Sequence, residues 1–570
     1  MRTITHDADL CVVGGGLSGL CAAVAAARCG ARVVLIGDRP VLGGNASSEV
    51  RMHVCGAHGP NRRETGIIEE IELDNIARNP AASWSIWDAI VYEKARLEPN
   101  LTLLLNASVN DATMDGPRLA SVRAWQGSAE TWHEVRARLF CDSSGDSILA
   151  PLSGAEVRIG REAESEFGED IEPAVADRKT MGMSCLIQGR ELEFPVGYTP
   201  PSWATVFASD ENLPHRGHNP LHTNFWWLEL GGEDDTIHDT ERLRDELLAA
   251  AFGVWDHLKN RGDHGLDNWT LDWVGFVPGK RESRRYVGDH VLTQNDVRAE
   301  GRFDDIVAYG GWSMDDHHPG GLRHPGVPTI FHPAPSPFGI PYRSLYSASV
   351  PNLFCAGRNI SATHAAMSSS RVMATCAIIG QAAGTAAALA AQHGTEPRGV
   401  YEHHLAALQA ALMDDDCWLP WRQREVSAVT RAAAVNSAEM EPLRNGLDRP
   451  DDDGDNAWLA EPEQAAEYTW AEEQWLERVR LVFDSDLCRK GKNMPACYPR
   501  NPSDYRLPAA CQTYHPAPAG MVRDARIELR GGDGQWQTAA EIRDNHQRLV
   551  RLPLAASASG VRLVVERTWG

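Results

Sequence analysis

No run of about 18 consecutive apolar residues occurs anywhere in this 570-residue chain, so the sequence offers no segment that reads as a membrane-spanning helix. It has no surplus of positive charge either. Its 55 Lys and Arg stand against 78 Asp and Glu, a formal net charge of −23. That balance argues against nucleic acid as a partner, because phosphate binding needs a basic surface, and against an anionic membrane. The twelve cysteines include no C-x-x-C pair and no zinc-ligand spacing, so no metal is expected. Cys11, Cys21, Cys355 and Cys376 sit in apolar segments, where a thiol behaves as a small hydrophobe, and a reduced, cytoplasmic setting fits them. The N-terminus has one early Arg followed by acidic residues, unlike a secretion signal. Internal repeats and low-complexity tracts are missing too. With 43% hydrophobic and 23% charged residues, the chain reads as ordinary globular protein divided into two to four domains.

The first forty residues read as strand (Leu10 to Val13), glycine turn, alanine-rich helix (Leu20 to Ala27) and second strand (Ala31 to Ile36), one βαβ unit. A helix is predicted from Gly66 to Ala77 and further strands over 101–107 and 136–141. Between 156 and 339 tryptophan, histidine and proline become frequent, which predicts an inserted domain built mainly of strands with one helix near Glu241 to Lys259. A strand at Asn352 to Ala356 and a helix of Ala and Gly from Val372 to Ala391, able to pack very closely, follow. After the acidic run Asp451 to Asp455, taken as an exposed loop, short alternating segments predict an all-β sandwich over 426–570.

The strongest motif is Val12-Val13-Gly14-Gly15-Gly16-Leu17-Ser18-Gly19. In this context Gly14 permits a tight turn, Gly16 lets backbone approach a pyrophosphate, and Gly19 lets helix and strand pack closely, while the helix start at Leu17 and Ser18 favours the anion. An acidic residue normally ends the second strand to bind the ribose, but Gly37 holds that position. Asp38, one residue on, or Arg39 takes the task. Three further small-residue turns follow predicted strands: Gly43-Gly44-Asn45-Ala46-Ser47, Ser144-Gly145-Asp146, and Gly357-Arg358. A simple NAD domain has no need of the last.

In these segments the chain resembles the FAD-dependent oxidoreductase family of the glutathione-reductase-type flavoproteins. The resemblance is carried by the N-terminal βαβ unit, Asp38 to Asn45, Asp142 to Asp146, Gly154 to Glu162, Arg281 to Arg285, Ala356 to Ser361 and Ser370 to Gly384, in order over residues 9–400. It implies an α/β fold, with a Rossmann-like FAD-binding domain assembled from 1–155 and 340–425 and a substrate domain inserted at 156–339. It also implies that Gly357 and the next residues reach the flavin, and that Arg371, Val372 and Met373, at the start of the last helix, direct a positive helix end at it. Val109 resembles the residue whose backbone meets the adenine. Family proteins of this size are often dimers, which extends to a homodimer here. Residues 428–570 resemble, more loosely, a discoidin-like, galactose-binding sandwich.

For the chemistry, the loop Gly310 to Pro319 offers Asp316, His317 and His318, two imidazoles beside carboxylates, for proton transfer, with His318 the first choice. Arg51 and His53, alternating with Glu49 along an expected strand, would line a polar pocket, and His364 and Arg371 lie near the expected flavin end. The leading expectation is hydride transfer between a sugar- or polyol-like small molecule and flavin N5, with an electron acceptor the sequence does not name. Two rivals stand beside it. One is a dicarboxylate-type reductase or desaturase clamped by Arg51, Arg62 and Arg371; the other is a carbohydrate-binding protein with a structural flavin.

Overall fold

The computed structural model describes residues 1–219, 224–450, 456–487, 500–503 and 517–570. The strand β1 (Arg2–Val13), helix α1 (Leu17–Arg28) and strand β2 (Val33–Ile36) form the expected βαβ unit, with β1 and β2 parallel and Val13 opposite Ile36. Helices α2 (Ile67–Arg78) and α3 (Trp84–Arg96) follow, and strand β3 (Leu101–Leu104) extends the sheet beside β2. Strands β4 (Ala107–Asp115), β5 (Arg118–Gln126) and β6 (Thr131–Asp142) make an antiparallel meander whose last strand returns parallel to β1. The order is β3-β2-β1-β6-β5-β4, and Leu353–Cys355, more than 200 residues beyond, pairs parallel with the end of β6. The predicted strand over 101–107 is broken, because Asn106 has a left-handed φ of 53°.

All five parallel strands therefore end at one edge, and the turns that follow them open on the same side, the place where such sheets bind ligands. Above that edge the helix Met373–His393 lies against α1. A side chain on Gly380 would put its Cβ 2.0 Å from the Ser18 carbonyl oxygen, and one on Gly384 the same distance from that of Ala22. Met373–His393 is also the one helix among the described residues long and apolar enough to cross a membrane, and 89% of that stretch is buried in the protein.

The region after 156 is less regular than its composition predicts. Its helix runs from Thr240 to Asp256 and continues as a π-turn over His257–Arg261, while its strands pair in twos and threes. Phe225, Trp227, Trp255 and Trp269 form its core, whereas Trp203 is exposed. The segment expected to present Glu49, Arg51 and His53 from one strand face is no strand. Ser47 O accepts the Arg51 N–H, and Arg51 sits at φ 59°.

The C-terminal region forms a five-stranded antiparallel sheet in the order Ala434–Val435, Ala465–Val482, Leu549–Thr568, Val522–Arg530, Trp536–Ile542. Among the described residues it is a single sheet, not the pair of facing sheets a sandwich requires. Segments read as separate strands at 548–552 and 561–566 are the two ends of one strand, offset where Ala555 takes φ 49°. Leu487, Ala517 and Met521 pack on Leu73 and Ile76 of α2, and the fully buried Arg500 reaches Glu64 and Glu72. The acidic run 451–455 lies outside the described residues.

Candidate functional site

The turns at the sheet edge enclose a cavity of about 780 Å³. Gly14, Gly16, Leu17, Ser18, Asp38, Arg39, Gly43, Gly44, Asn45, Ser144, Gly145, Asp146, Gly357 and Arg358 all line it, so segments spread over more than 340 residues of chain meet at one wall. Gly14 has φ 116°, and a Cβ there would lie 2.3 Å from the Ser143 carbonyl, so the turn is closed to other residues. A Cβ on Gly16 would meet nothing nearer than Gly44 Cα at 4.0 Å and would project into open space. The first turn of α1 has no side-chain cap. The buried Ser18 Oγ and Arg39 Nη1 have no hydrogen-bond partner among the described residues. A bare helix N-terminus, an open glycine floor, a hydroxyl and a guanidinium form a donor set that fits the pyrophosphate and ribose of a dinucleotide.

Other expected contacts serve the frame. A Cβ on Gly19 would fall 1.9 Å from the Gly14 carbonyl, so this glycine permits helix–strand contact away from the cavity. Ala46 and Ser47 lie outside the lining. Ala46 O accepts from Trp87 Nε1, and Ser47 Oγ donates to Gly44 O. Val109 also lies outside it, paired with Ala124 in the meander. Asp146 is held by Lys280 at 2.7 Å and Arg358 at 2.8 Å. Burial works against its ionised form, yet these two cations keep its carboxyl below the ordinary range.

At the other end of the cavity, strand alternation sorts the candidates. Along Met314–His317, Asp315 and His317 face the cavity while Asp316 turns away. His317 is buried, with Nδ1 2.6 Å from Glu229 Oε2 and Nε2 3.3 Å from Asp315 Oδ2. Burial would raise the Glu229 carboxyl, but the charges of Arg281 and His317 hold it below its usual value. Asp315 resists burial in the same way, through His317 and Arg371, and is held well below the carboxylate range. Arg371 lines the cavity, its Nη2 3.2 Å from Asp315 Oδ2, and Val372 and Met373 line it beside Arg371. His53 lines it too, its Nδ1 3.0 Å from the Asn224 amide nitrogen.

His318 does not reach the cavity. Its ring stacks on His324 at 3.5 Å and its Nδ1 accepts the Gly320 N–H. Arg51 is also outside, bonded to Gln188 and lying 4.4 Å from the centre of the Trp273 ring. His364 is buried between Glu282 (2.9 Å) and Asp316 (3.2 Å), away from the lining. Burial disfavours its charged form, but the two carboxylates win and hold its pKa well above the usual value. It therefore forms a structural ion triad with Glu282 and Asp316. Residues not among the predicted site residues are Asp315, Asn224, Trp226, Trp312 and Ser503, all at the cavity, and Glu229, which lies outside the lining and bonds to His317. Asp315 was within reach of the period-2 rule, since Met314–His317 is a strand. Ser503 carried no local signal.

The model of the family described as FAD dependent oxidoreductase matches residues 9–412. No curated protein matches the chain. Among solved structures, it is similar to L-proline dehydrogenase from P. horikoshii, at 19% identity over 25% of this chain and 23% of that one, with a TM-score of 0.17. It is also similar to a geranylgeranyl bacteriochlorophyll reductase-like protein from Thermoplasma acidophilum (13% identity, 72% of this chain and 86% of that one, TM-score 0.30). A third is the E. coli quinol fumarate reductase FrdA, at 13% identity over 73% of this chain and 75% of that one, with a TM-score of 0.30.

Proposed function

Because this chain belongs to the FAD dependent oxidoreductase family, and is thus an FAD-dependent oxidoreductase, we propose that it oxidises or forms a C–H bond beside a hydroxyl on a sugar- or polyol-like small molecule. Gly14, Gly16, Leu17, Ser18, Arg39 and Gly44 would hold the FAD, with Gly357 and Arg358 beside them. When bound, FAD supplies the partner for the hydride.

The observation that carries the reading is the proton-handling group on the cavity wall. In the direction that forms the C–H bond a carbonyl carbon gains a hydride and its oxygen a proton, which the charged His317 ring gives from Nε2; oxidation of the hydroxyl runs the same step in reverse. Glu229, at 2.6 Å from Nδ1, fixes the ring. Asp315 can release Nε2 because Thr329 and Arg371 also bond to it. Substrate hydroxyls find further partners in Trp312 Nε1 and Asn224 Oδ1, both buried and without a hydrogen-bond partner among the described residues. Trp226 and Phe331 add apolar faces of the kind that sugar rings stack on. Of the three arginines that a dicarboxylate clamp would use, Arg371 alone lines the cavity, which favours the hydroxylated substrate.

The C-terminal region supports the same site. Asn501 Nδ2 donates to Met52 O and Ser503 Oγ to Arg51 O, with Ser503 on the cavity wall. We assign it this buttressing role in place of a sugar site of its own. A reducing, cytoplasmic setting belongs to the proposal, supported by free thiols from Cys11 to Cys417, most of them buried.

The test is anaerobic reduction of the bound flavin by a panel of sugars, polyols and hydroxy acids. A polyol or sugar should bleach it, and His317→Gln should slow that bleaching about 100-fold or more with FAD content intact. Bleaching by dicarboxylates alone, or an unchanged rate in His317→Gln, refutes the proposal.

A further inference from the structure

Away from the flavin cavity, three histidines and an aspartate from separate loops of the inserted region turn their ligating atoms toward one point. Asp210 opens a short 3₁₀ turn, His218 follows in the next loop, His257 begins the π-turn that ends the long helix, and His264 lies in the loop beyond it. One ligand atom from each falls within 4.8 Å of all the others. His257 Nε2 is 2.9 Å and His264 Nε2 3.3 Å from Asp210 Oδ1, with His218 Nδ1 3.7 Å from the same oxygen. The two Nε2 atoms are 3.2 Å apart.

We propose that Asp210, His218, His257 and His264 bind a divalent transition-metal ion of the zinc class. The first argument is the orientation of His257. Its Nδ1 is 3.0 Å from the Phe207 carbonyl, which can only accept, so that nitrogen carries the hydrogen and leaves the Nε2 lone pair to serve the cluster. Metal-bound histidines are held in this way by a second partner. That lone pair faces a carboxylate oxygen and another imidazole nitrogen, a meeting of acceptors that a cation at their centre satisfies together. The second argument is size. A tetrahedron with ligands about 2.0–2.1 Å from its centre has edges of about 3.3–3.4 Å, and the four separations above bracket that value. Three imidazoles with one carboxylate suit zinc and its neighbours rather than calcium or magnesium.

The ion would act as a clip. Residues 192–219 hold almost no regular structure, and the cluster fastens that stretch at Asp210 and His218 to the helix end at His257. The neighbouring Phe207, Leu213, Trp255 and Leu258 form the core that this attachment seals. His257 is fully buried while the Asp210 side chain is 67% exposed, so an ion can enter from solvent.

The test uses the full-length, untagged, FAD-loaded protein, stripped with a chelator and titrated with Zn(II) against a competing indicator. One Zn(II) per chain should bind and raise the melting temperature, and Co(II) in its place should give the visible absorption of a tetrahedral site. His264→Ala and Asp210→Asn, at the accessible side of the cluster, should each weaken Zn(II) binding by roughly 100-fold or more and abolish the thermal gain, with flavin content unchanged. Less than one Zn(II) per chain in the parent overturns the proposal, as do variants that bind Zn(II) as tightly as it does. A protein that binds no Zn(II) and shows His257 doubly protonated by NMR has a proton-bridged cluster, and the proposal is then wrong.

Discussion

Replacing Gly380 with Ala sets two well-measured effects against each other. In a helix interior Ala is better than Gly by about 1 kcal/mol, so propensity alone makes the variant more stable. The packing says otherwise. The new Cβ would lie 2.0 Å from the Ser18 carbonyl oxygen and 2.7 Å from its carbon, both backbone atoms with no rotamer to retreat into. Ordinary contact starts near 3.4 Å, so helix Met373–His393 and α1 must part by about 1 Å or more. Overpacking of this kind costs about 1–3 kcal/mol, and an overlap with rigid backbone belongs at the upper end. The expected net loss is about 1–2 kcal/mol. Gly384, one turn on, meets Ala22 O at the same 2.0 Å. Gly384→Ala should therefore lose about as much, and the double variant less than the sum, because the first substitution already opens the gap for the second.

The two sites should differ in their effect on FAD. Ser18 belongs to the first turn of α1 and lines the cofactor cavity, whereas Ala22 lies a turn deeper. FAD affinity should fall roughly tenfold in Gly380→Ala, equivalent to about 1.4 kcal/mol, and much less in Gly384→Ala. Urea unfolding of the apoproteins gives the first quantity and fluorescence titration with FAD the second. A Gly380→Ala protein as stable as the parent, or more so, would show that the helices can separate freely and that the glycines carry no packing role.

Two other predictions come from buried charge. Glu172 is buried near Glu162 and Glu169, and although His364 pulls the other way, burial pushes its carboxyl up from 4.5 to about 7. A raised acid contributes stability that is complete below about pH 4.5 and is lost as pH rises through about 7. Glu172→Gln keeps the acceptor for the Ala365 N–H without the charge, so it should gain on the parent by an amount on the order of 1–3 kcal/mol between pH 5 and pH 8; a pH-independent difference refutes the assignment. Arg500→Leu removes the buried guanidinium 3.2 Å from Glu64 and 3.1 Å from Glu72, leaving Glu72 with Arg63 alone, and should lose roughly 3–5 kcal/mol of unfolding free energy. Adding Glu64→Gln should restore part of it, and failure to do so means the loss is one of packing.

What the sequence discloses about this molecule depends on how local the physical constraint is. The phosphate turn is legible because Gly14 and Gly16 owe their identity to neighbours a few residues away and to the strand and helix that flank them. The turns at Gly145 and Gly357 are legible only as a set, since each alone is an ordinary strand end. The segment from Asp315 to His318 shows where this logic fails. Asp315, Asp316, His317 and His318 are adjacent in sequence, and composition alone makes them one cluster. The pleat of Met314–His317 divides them, sending Asp315 and His317 to the cavity and Asp316 to His364. Recognising the segment as a strand would have separated His317 from Asp316 and His318. No such rule reaches Ser503, which touches Arg51 from 452 residues away, or the four proposed ligands Asp210, His218, His257 and His264. Those ligands follow no cysteine-like spacing, and a π-turn sets the direction of His257. Sites assembled from side chains in irregular loops leave no periodicity to read, because the loop path that brings them together is decided by the core beneath it. In the inserted region that core is Phe207, Trp227, Trp255 and Trp269, whose abundance in the sequence announced a buried cluster without indicating which histidines it would hold at its edge.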